Sequence, residues 1–190
     1  MSGSAPGSNI SEIALEETFQ SRPVNTQIFK PFLISRLMEH PATVDNALEY
    51  QVHFQNVGVP GTRSAAVRWT WTDDMIPPAP LAAQQEFVTE TAAYGLAFAI
   101  IQRLTSAELL DSAVRKNRFD YVLIEGGERC GLEVSGTLAD DRKIFRDRHR
   151  QKIRQLLENP LRWSGYVVVV GFARREVIVS YHAGEGRVRR

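Results

Sequence analysis

The predicted fold depends first on residues 119–155, FDYVLIEGGERCGLEVSGTLADDRKIFRDRHRQKIRQ. Two segments in it, FDYVLIE at 119–125 and CGLEVSG at 130–136, are rich in β-branched and apolar residues and predict strands. The GGER turn between them is short enough to make these strands a hairpin. A basic segment from about Asp141 to Glu158 then predicts a helix, which the Asn-Pro pair after it ends.

The segments on either side predict further helices and strands. A helical pattern runs from about Ala82 to Leu104 and continues, after an interruption at Thr105-Ser106, as AELLDSAVRKN. Its apolar side has residues three and four apart: Phe87, Thr91, Tyr94, Phe98, Ile101 and Leu104. After the basic helix, SGYVVVVGF predicts a buried central strand and REVIVSYH a neighbouring or edge strand. This order predicts an α/β sandwich with a mixed central sheet flanked by helices.

An alternating segment nearer the N-terminus predicts a β-hairpin at 49–72, since YQVHFQNV and SAAVRWTWT both alternate apolar with polar residues. Trp69 and Trp71 lie on one side of it, which is more typical of half a hydrophobic core than of a base-stacking platform. The segment DDMIPPAP then breaks the chain. We therefore expect an N-terminal extension at 10–80 and a core at 81–182, with the hairpin either joined to the core's sheet or separate from it.

The remaining terminal segments carry weaker patterns. SEIALEETFQ predicts a short helix with Ser11 as its N-cap, and residues 24–40 predict an extended piece or a short helix. Residues 1–9 have no periodic pattern and predict a flexible tail, and residues 183–190 predict a basic tail.

Composition bounds the class of protein. The 190 residues are 43% hydrophobic and 24% charged, as in soluble globular proteins. An apolar run of 18 residues and a secretory signal are both absent from the sequence, so we expect a cytoplasmic protein with no membrane contact. The single cysteine, Cys130, excludes an internal disulfide and a thiolate-rich zinc site, and a small buried strand residue is its expected role.

The net charge of +1 hides an uneven distribution. Residues 1–80 hold five Lys or Arg and eight Asp or Glu, whereas residues 81–190 hold eighteen and fourteen. Only four of the 23 basic residues are Lys, and the excess of Arg suits forked contacts to phosphate or carboxylate. A GC-rich genome would give the same excess without any function.

Two carboxylates stand on the predicted hairpin strands, Asp120 near the start of the first and Glu133 on the second. Carboxylates on adjacent strands bind a hard cation such as Mg²⁺, or else one of them has a raised pKa. Asp120 has an alternative as a strand-start residue paired with Arg118 or as a helix cap. Glu133, between two apolar residues, must face solvent or have a partner. Ser135 lies on the same face as Glu133.

The basic helix places Arg148, Lys152 and Gln155 on one stripe, at spacings of four and three. Lys152 would orient a water or stabilise a transition state, unless it belongs to a solvated face. Further cations on this helix favour a polyanion such as nucleic acid, and the candidates for nucleic-acid binding are Arg142, Lys143, Arg146, Arg148 and Arg150.

The order of helix, Asp-bearing strand, Glu-x-Ser strand, helix with Lys-x-x-Gln and apolar strand resembles the restriction-endonuclease-like fold of the PD-(D/E)XK nucleases. The resemblance covers residues 82–181. It implies that Asp120 matches the catalytic Asp and Glu133 the acidic residue of the (D/E)XK pair. Glu90, on the preceding helix, is the candidate third ligand of a Mg²⁺ or Mn²⁺ ion.

The sequence departs from this family at three points. Phe119 replaces the Pro, and Ser135 stands where the catalytic Lys is expected. Some family members move that Lys to the following helix, where Lys152 lies with Gln155 as its companion. Two strands are evident between the helices, whereas three are usual, so either the hairpin at 49–72 completes the sheet or the resemblance fails.

The leading hypothesis is a metal-dependent nuclease that cuts DNA in a defence or DNA-processing system. The alternative is an inactive relative that serves as an assembly or nucleic-acid-binding subunit, in contact with other proteins or as a homodimer. Binding of a small anionic ligand or nucleotide is less favoured, because GGER joins two strands and so is not a phosphate loop between a strand and a helix.

Overall fold

The computed structural model describes residues 11–19, 24–77 and 83–184. The tail predicted at 1–9, and the predicted basic tail beyond residue 184, lie outside these ranges. The strands of the described part are β1 (Ser11–Ala14), β2 (Ala47–Gln55), β3 (Thr62–Thr70), β4 (Glu108–Ser112), β5 (Tyr121–Glu125), β6 (Glu128–Thr137), β7 (Gly165–Gly171) and β8 (Glu176–His182). Its α-helices are α1 (Lys30–Met38), α2 (Gln85–Leu104) and α3 (Arg142–Leu157).

These strands form one mixed sheet in the order β1, β3, β2, β8, β7, β6, β5, β4. The pair β6 and β7 is parallel and is connected through α3, whereas β5 and β6 form an antiparallel hairpin. The predicted N-terminal hairpin, β2 with β3, joins the sheet through parallel pairing of β2 with β8, in which Val52 lies opposite Val177. The prediction of a mixed α/β sheet flanked by helices is therefore confirmed.

Helices cover both faces of the sheet, as the alternation of side chains along β7 shows. Val168 and Val170 belong to the core that α1 and α2 cover, whereas Val167 and Val169 pack in a second core with Phe145 of α3. The sheet is thus the middle of three layers, with α1 and α2 on one side and α3 on the other.

The predicted elements between residues 119 and 182 are confirmed, and local chemistry accounts for their boundaries. Gly126 and Gly127 adopt φ of 58° and 83° in the tight turn between β5 and β6, a backbone that favours glycine. Helix α3 begins after Asp141, whose Oδ1 accepts a hydrogen bond from the amide of Lys143 at 2.6 Å. The mixed pattern at 24–40 yields a short helix, α1.

Two helical predictions are wrong. AELLDSAVRKN does not continue α2, because residues 108–112 form β4, antiparallel to β5, with a bulge between Leu109 and Asp111. SEIALEETFQ was expected to begin as a helix at Ser11, but residues 11–14 form β1, which pairs in parallel with β3 and buries Ile13. In both segments pairing with another strand outweighs a short local helical pattern.

Helix α2 is buried almost all round in its middle, where small residues allow close packing against the sheet and α1. Phe87, expected on its apolar side, is instead 56% exposed and packs edge-on against Phe32 of α1. No helix in the described ranges has the length and hydropathy needed to span a bilayer.

Candidate functional site

Strand β5 covers only part of β6. Its first residue, Tyr121, pairs with Leu132, and residues 133–137 of β6 pair with β7 alone among the described strands. The side chain of Asp120 continues the contact, since its Oδ2 accepts a hydrogen bond from the Val134 amide at 2.9 Å. Asp120 therefore lies where β6 loses its neighbour on one side. Its suggested partner Arg118 forms an ion pair with Glu158.

Glu133 points from β6 toward α3 and is completely buried, with 0% exposure. Its Oε1 accepts a hydrogen bond from Nζ of Lys152, while its Oε2 has no hydrogen-bond partner in the described structure. Of the two alternatives that the sequence left open for Glu133, solvent or a partner, the structure has the partner, and it is Lys152 of α3.

The carboxylates of this region perturb one another. Burial, and next the negative charge of Asp120, raise the pKa of Glu133 to about 7, although the charge of Lys152 opposes the rise. Burial also raises the pKa of Asp120, against the effects of the Val134 amide and Lys152. Two acids beside one strand thus hold their protons more tightly than isolated carboxyls do.

Ser135 connects the two helices around the edge of β6. Its hydroxyl accepts a hydrogen bond from Nη1 of Arg148 at 3.1 Å and donates to Oε1 of Glu90 at 3.3 Å. Nη1 of Arg148 also lies 3.6 Å from Oε1 of Glu90. Because α2 and α3 cover opposite faces of the sheet, these side chains can meet only where β6 lacks a neighbouring strand.

We call the residues that meet beside β6 the charged cluster: Glu90, Asp120, Glu133, Ser135, Arg148 and Lys152. Its outer members reach solvent, since the side chains of Arg148 and Glu90 are 38% and 41% exposed. Its inner pair is enclosed, with Lys152 19% exposed and Glu133 fully buried. Burial raises the pKa of Glu90, and the charges of Lys152 and Arg148 counteract this rise.

Tyr94 is a neighbour of the cluster that the sequence reading missed. Its hydroxyl donates a hydrogen bond to the Asp120 carboxylate. Burial, and next the charge of Asp120, raise the pKa of Tyr94 far above its usual range, so the donor stays protonated. The sequence placed Tyr94 on an apolar stripe, although its spacing of four from Glu90 puts both side chains on one side of α2.

The other predicted site residues lie outside the charged cluster. Gln155 is half-buried one turn beyond Lys152. Its side-chain amide makes no hydrogen bond within the described ranges. Phe145 and His149 of α3 are buried against the sheet, on the same side of the helix as Lys152. Four of the five predicted nucleic-acid-binding residues are exposed on α3: Arg142, Lys143, Arg146 and Arg150. Among those five, only Arg148 joins the cluster.

The cluster fits a hard divalent cation in the kind of ligand that it offers. The carboxylates of Glu90, Asp120 and Glu133 act on one another electrostatically, and oxygen ligands of this kind suit Mg²⁺ or Mn²⁺. The unpartnered Oε2 of Glu133 is a ligand atom without a competing hydrogen bond in the described structure. However, no group of three or more His, Cys, Asp or Glu residues in the described ranges is arranged to hold a metal ion.

Comparison of the chain with models of known protein families, with curated proteins and with solved structures finds no match. The assignment of a function therefore depends on the geometry of the charged cluster.

Proposed function

We propose that the protein is a divalent-metal-dependent nuclease that hydrolyses DNA phosphodiester bonds, with the charged cluster as its active site. The observation that carries this proposal is the environment of Glu133. A fully buried carboxylate with one unpartnered oxygen lies beside a second acid and under cations from the next helix. Burying such a charge is costly, and a binding site is a physical reason to keep it.

The order of the elements supports the resemblance to the PD-(D/E)XK nucleases. Between α2 and α3 lie β4, β5 and β6, so the third strand missing from the sequence-based prediction is present. Asp120 precedes β5, Glu133 and Ser135 lie on β6, and Lys152 lies on the following helix, in the order that the resemblance implies.

Asp120 and Glu133 would hold the Mg²⁺ or Mn²⁺ ion, with Glu90 as the third carboxylate. Such an ion neutralises charge on a phosphate and makes hydroxide available near neutral pH. Lys152 opposes the rise in the pKa of Glu133 and so favours the carboxylate form that a metal requires. The Val134 amide fixes the direction of the Asp120 carboxylate. Gln155, one turn beyond Lys152, would position the attacking water.

The exposed cations of α3 would bind the DNA backbone. Arg142, Lys143 and Arg146 are exposed on the helix, and Arg150 is exposed while paired with Asp147. Contacts of this kind are independent of sequence and weaken as salt increases. We expect DNA binding with a steep salt dependence and little base preference from these residues.

Substitution of Glu133 by Gln tests the proposal, because it keeps the shape of the side chain and removes its charge. We expect Glu133→Gln to lose Mg²⁺-dependent cleavage of plasmid and single-stranded DNA while keeping the far-UV circular dichroism of the parent. Glu128→Gln, an exposed position on the same strand, is the matched control and should cleave normally. Cleavage by Glu133→Gln at the parent's rate, or no cleavage by the parent with either ion, would contradict the proposal.

A second candidate is a catalytically inactive, nuclease-like subunit that serves as an assembly or nucleic-acid-binding module. The ion pairs of Glu133 with Lys152 and of Glu90 with Arg148 favour it, because they balance two carboxylates without a metal. Melting temperatures separate the two. A stabilisation by Mn²⁺ that disappears in Asp120→Ala supports the enzyme, whereas DNA binding without any effect of Mn²⁺ supports the subunit.

A further inference from the structure

Two cations of α3 meet two positions of β6 in register. Lys152 contacts Glu133, and Arg148 contacts Ser135 at 3.1 Å. Four residues of a helix rise about 6 Å, and two residues of a strand span about 6.6 Å. The later helix residue, Lys152, contacts the earlier strand residue, Glu133, so the helix and the strand run antiparallel. Each of the two cations is therefore aligned with one position of the strand.

We infer that Arg148, rather than Lys152, presents the positive charge to the reacting phosphate, and that Ser135 positions it. This inference rests on the proposed nuclease function. Ser135 is the position at which the nuclease motif has Lys, so the strand itself supplies no positive charge there. The Arg148 guanidinium of α3 lies against the Ser135 hydroxyl and supplies a positive charge at this position.

Lys152 is poorly suited to this role because its charge is already committed. Its Nζ pairs with a carboxylate of 0% exposure, and its own side chain is 19% exposed. Movement of Lys152 toward a substrate would break its hydrogen bond to Oε1 of Glu133 and remove the cation that favours the carboxylate form of this buried acid.

Arg148 can change partner at little cost. Its ion pair with Glu90 spans 3.6 Å between side chains 38% and 41% exposed. Exposed pairs of this kind contribute little to stability, so a phosphate can replace Glu90. The guanidinium donates through Nη1 to Ser135 and makes no other hydrogen bond in the described part of the chain, which leaves its remaining N–H donors for phosphate oxygens. Release of Glu90 also provides the third carboxylate.

Ser135 fixes where the guanidinium lies. Its side chain is completely buried, and its single hydroxyl accepts from Arg148 and donates to Glu90, so its two contacts set the direction of the hydroxyl. Ser135 has no charge and touches neither metal nor substrate in this scheme. It acts through Arg148 and is a positioning residue.

The test measures kcat and KM for DNA cleavage with Mg²⁺. We expect Arg148→Ala to lower kcat about 100-fold, as for loss of one group that stabilises a transition state, with KM changed by less than about 3-fold. Arg148→Lys keeps a charge and should retain a larger share of kcat than Arg148→Ala. Arg103→Ala is the matched control, because Arg103 is also 38% exposed and ion-paired, with Glu17, and should keep the parent's kcat.

The dependence of Ser135 on Arg148 is tested by a double-mutant cycle. Ser135→Ala should lower kcat about 10-fold in the parent and have no further effect in Arg148→Ala, because residues that act as a unit are not additive. Melting curves of each variant exclude unfolding as the cause, and Arg148→Lys replaces Arg148→Ala if the latter fails to fold.

A parent that cleaves DNA while Arg148→Ala keeps its kcat would overturn the inference and leave the nuclease assignment in place. Additive effects of Ser135→Ala and Arg148→Ala would overturn the positioning role. A parent that fails to cleave would overturn the proposed function, and this inference with it.

Discussion

At the scale of single residues, Glu133 introduces a carboxylate into a strand whose flanking residues, Leu132 and Val134, are both buried. With a pKa of about 7, Glu133 stays partly protonated in the folded protein near neutral pH, whereas in the unfolded chain it ionises near its ordinary value of 4.5. Stability from Glu133 is therefore highest at low pH and falls as the pH rises toward 7. Lys152 limits this loss.

Substitution of Lys152 by Met should reveal that effect. Without the ammonium the pKa of Glu133 rises further, so the variant continues to lose stability above pH 7, where the parent has stopped losing it. We expect a destabilisation of about 3 kcal/mol at pH 9 and a much smaller one at pH 6, measured by urea unfolding.

Lys143→Met, at an exposed position of the same helix, is the control and should change stability little at either pH. An equal destabilisation of Lys152→Met at pH 6 and pH 9 would show that lost packing, rather than the ion pair, causes the effect.

The need of Glu133 for a partner if it does not face solvent, and the position of Lys152 on one stripe of the next helix, could be predicted from sequence, because alternation along a strand and helical spacing are local patterns. The contacts of Glu90 with Arg148 and of Tyr94 with Asp120 could not. Both contacts are made at the part of β6 that β5 does not cover. The sequence has no local pattern that indicates how much of β6 pairs with β5. Arg148 was predicted on the stripe of Lys152 and Gln155 as a residue that binds nucleic acid, and for the same reason its contacts with Ser135 and Glu90 were not foreseen.

At the scale of elements, Gly136 sets how closely α2 approaches β6. A Cβ at this position would lie 2.6 Å from the Thr89 carbonyl oxygen and 3.0 Å from the Ala93 Cβ. We expect Gly136→Ala to push α2 away and destabilise the protein by about 1–3 kcal/mol in urea unfolding. Because Glu90 follows Thr89 directly, the same variant should also weaken stabilisation by Mn²⁺.

Gly171→Ala provides the comparison for that experiment. The nearest atoms to a Cβ there belong to the Phe145 ring, at 3.2 Å, and a side chain yields more easily than a helix backbone. A larger destabilisation from Gly171→Ala than from Gly136→Ala would contradict this account of the α2 contact.

His149 connects α3 to β8, on the face of the sheet opposite α2. We expect it to make the stability of the protein depend on pH. Its Nε2 lies 2.8 Å from the buried hydroxyl of Ser180, which also contacts His182 at 2.8 Å. Burial, and next the charge of His182, lower the pKa of His149 to about 4. The unfolded chain binds this proton near pH 6.5, so stability is lost as the pH falls from about 6.5 to 4, at about 1.4 kcal/mol per unit.

His149→Gln should lack this loss, so we expect the stability difference between parent and variant to change over pH 4 to 6.5. The comparison must be between proteins, because Glu133 titrates in the opposite sense over part of that range. His53→Gln is the control, since His53 also contacts a serine hydroxyl but on an exposed surface. Parallel pH profiles of parent and His149→Gln would refute the assignment.

The elements that sequence predicted well are those with a strong local pattern. The glycine turn after β5, the Asp141 cap of α3 and the valine run of β7 specify their boundaries locally. Strands β1 and β4 are different, because they are short edge strands whose hydrogen-bond partners lie elsewhere in the chain. Both were predicted as helix, since a few apolar residues at the edge of a sheet also fit a helical period.

At the scale of the whole molecule, the sheet unites the N-terminal hairpin with the rest. Pairing of Val52 with Val177 joins β2 to β8, and both strands contribute to one hydrophobic core. Sequence left open whether the hairpin joins the sheet, because a parallel pairing between segments so far apart has no local signature. A fragment without β2 would expose the backbone edge of β8.

We therefore expect a single cooperative unfolding transition for the described parts of the chain. Trp163→Phe, which keeps the ring stacked on Phe119, leaves Trp69 and Trp71 as the tryptophan reporters of the hairpin. Their fluorescence should change at the same urea concentration as the far-UV circular dichroism. Separate midpoints would mean that the hairpin unfolds independently.

Beyond Leu132, which pairs with the first residue of β5, strand β6 has main-chain groups on one side that face no neighbouring strand in the described structure. Peptide groups along a strand point alternately to its two neighbours, so the N–H of Gly136 points the same way as that of Val134, away from β7. These main-chain dipoles survive any exchange of side chains. The side chains of the site could therefore be replaced by others with oxygen ligands while these main-chain N–H groups keep their direction. This makes the site a promising scaffold for engineered binding of anions or metals.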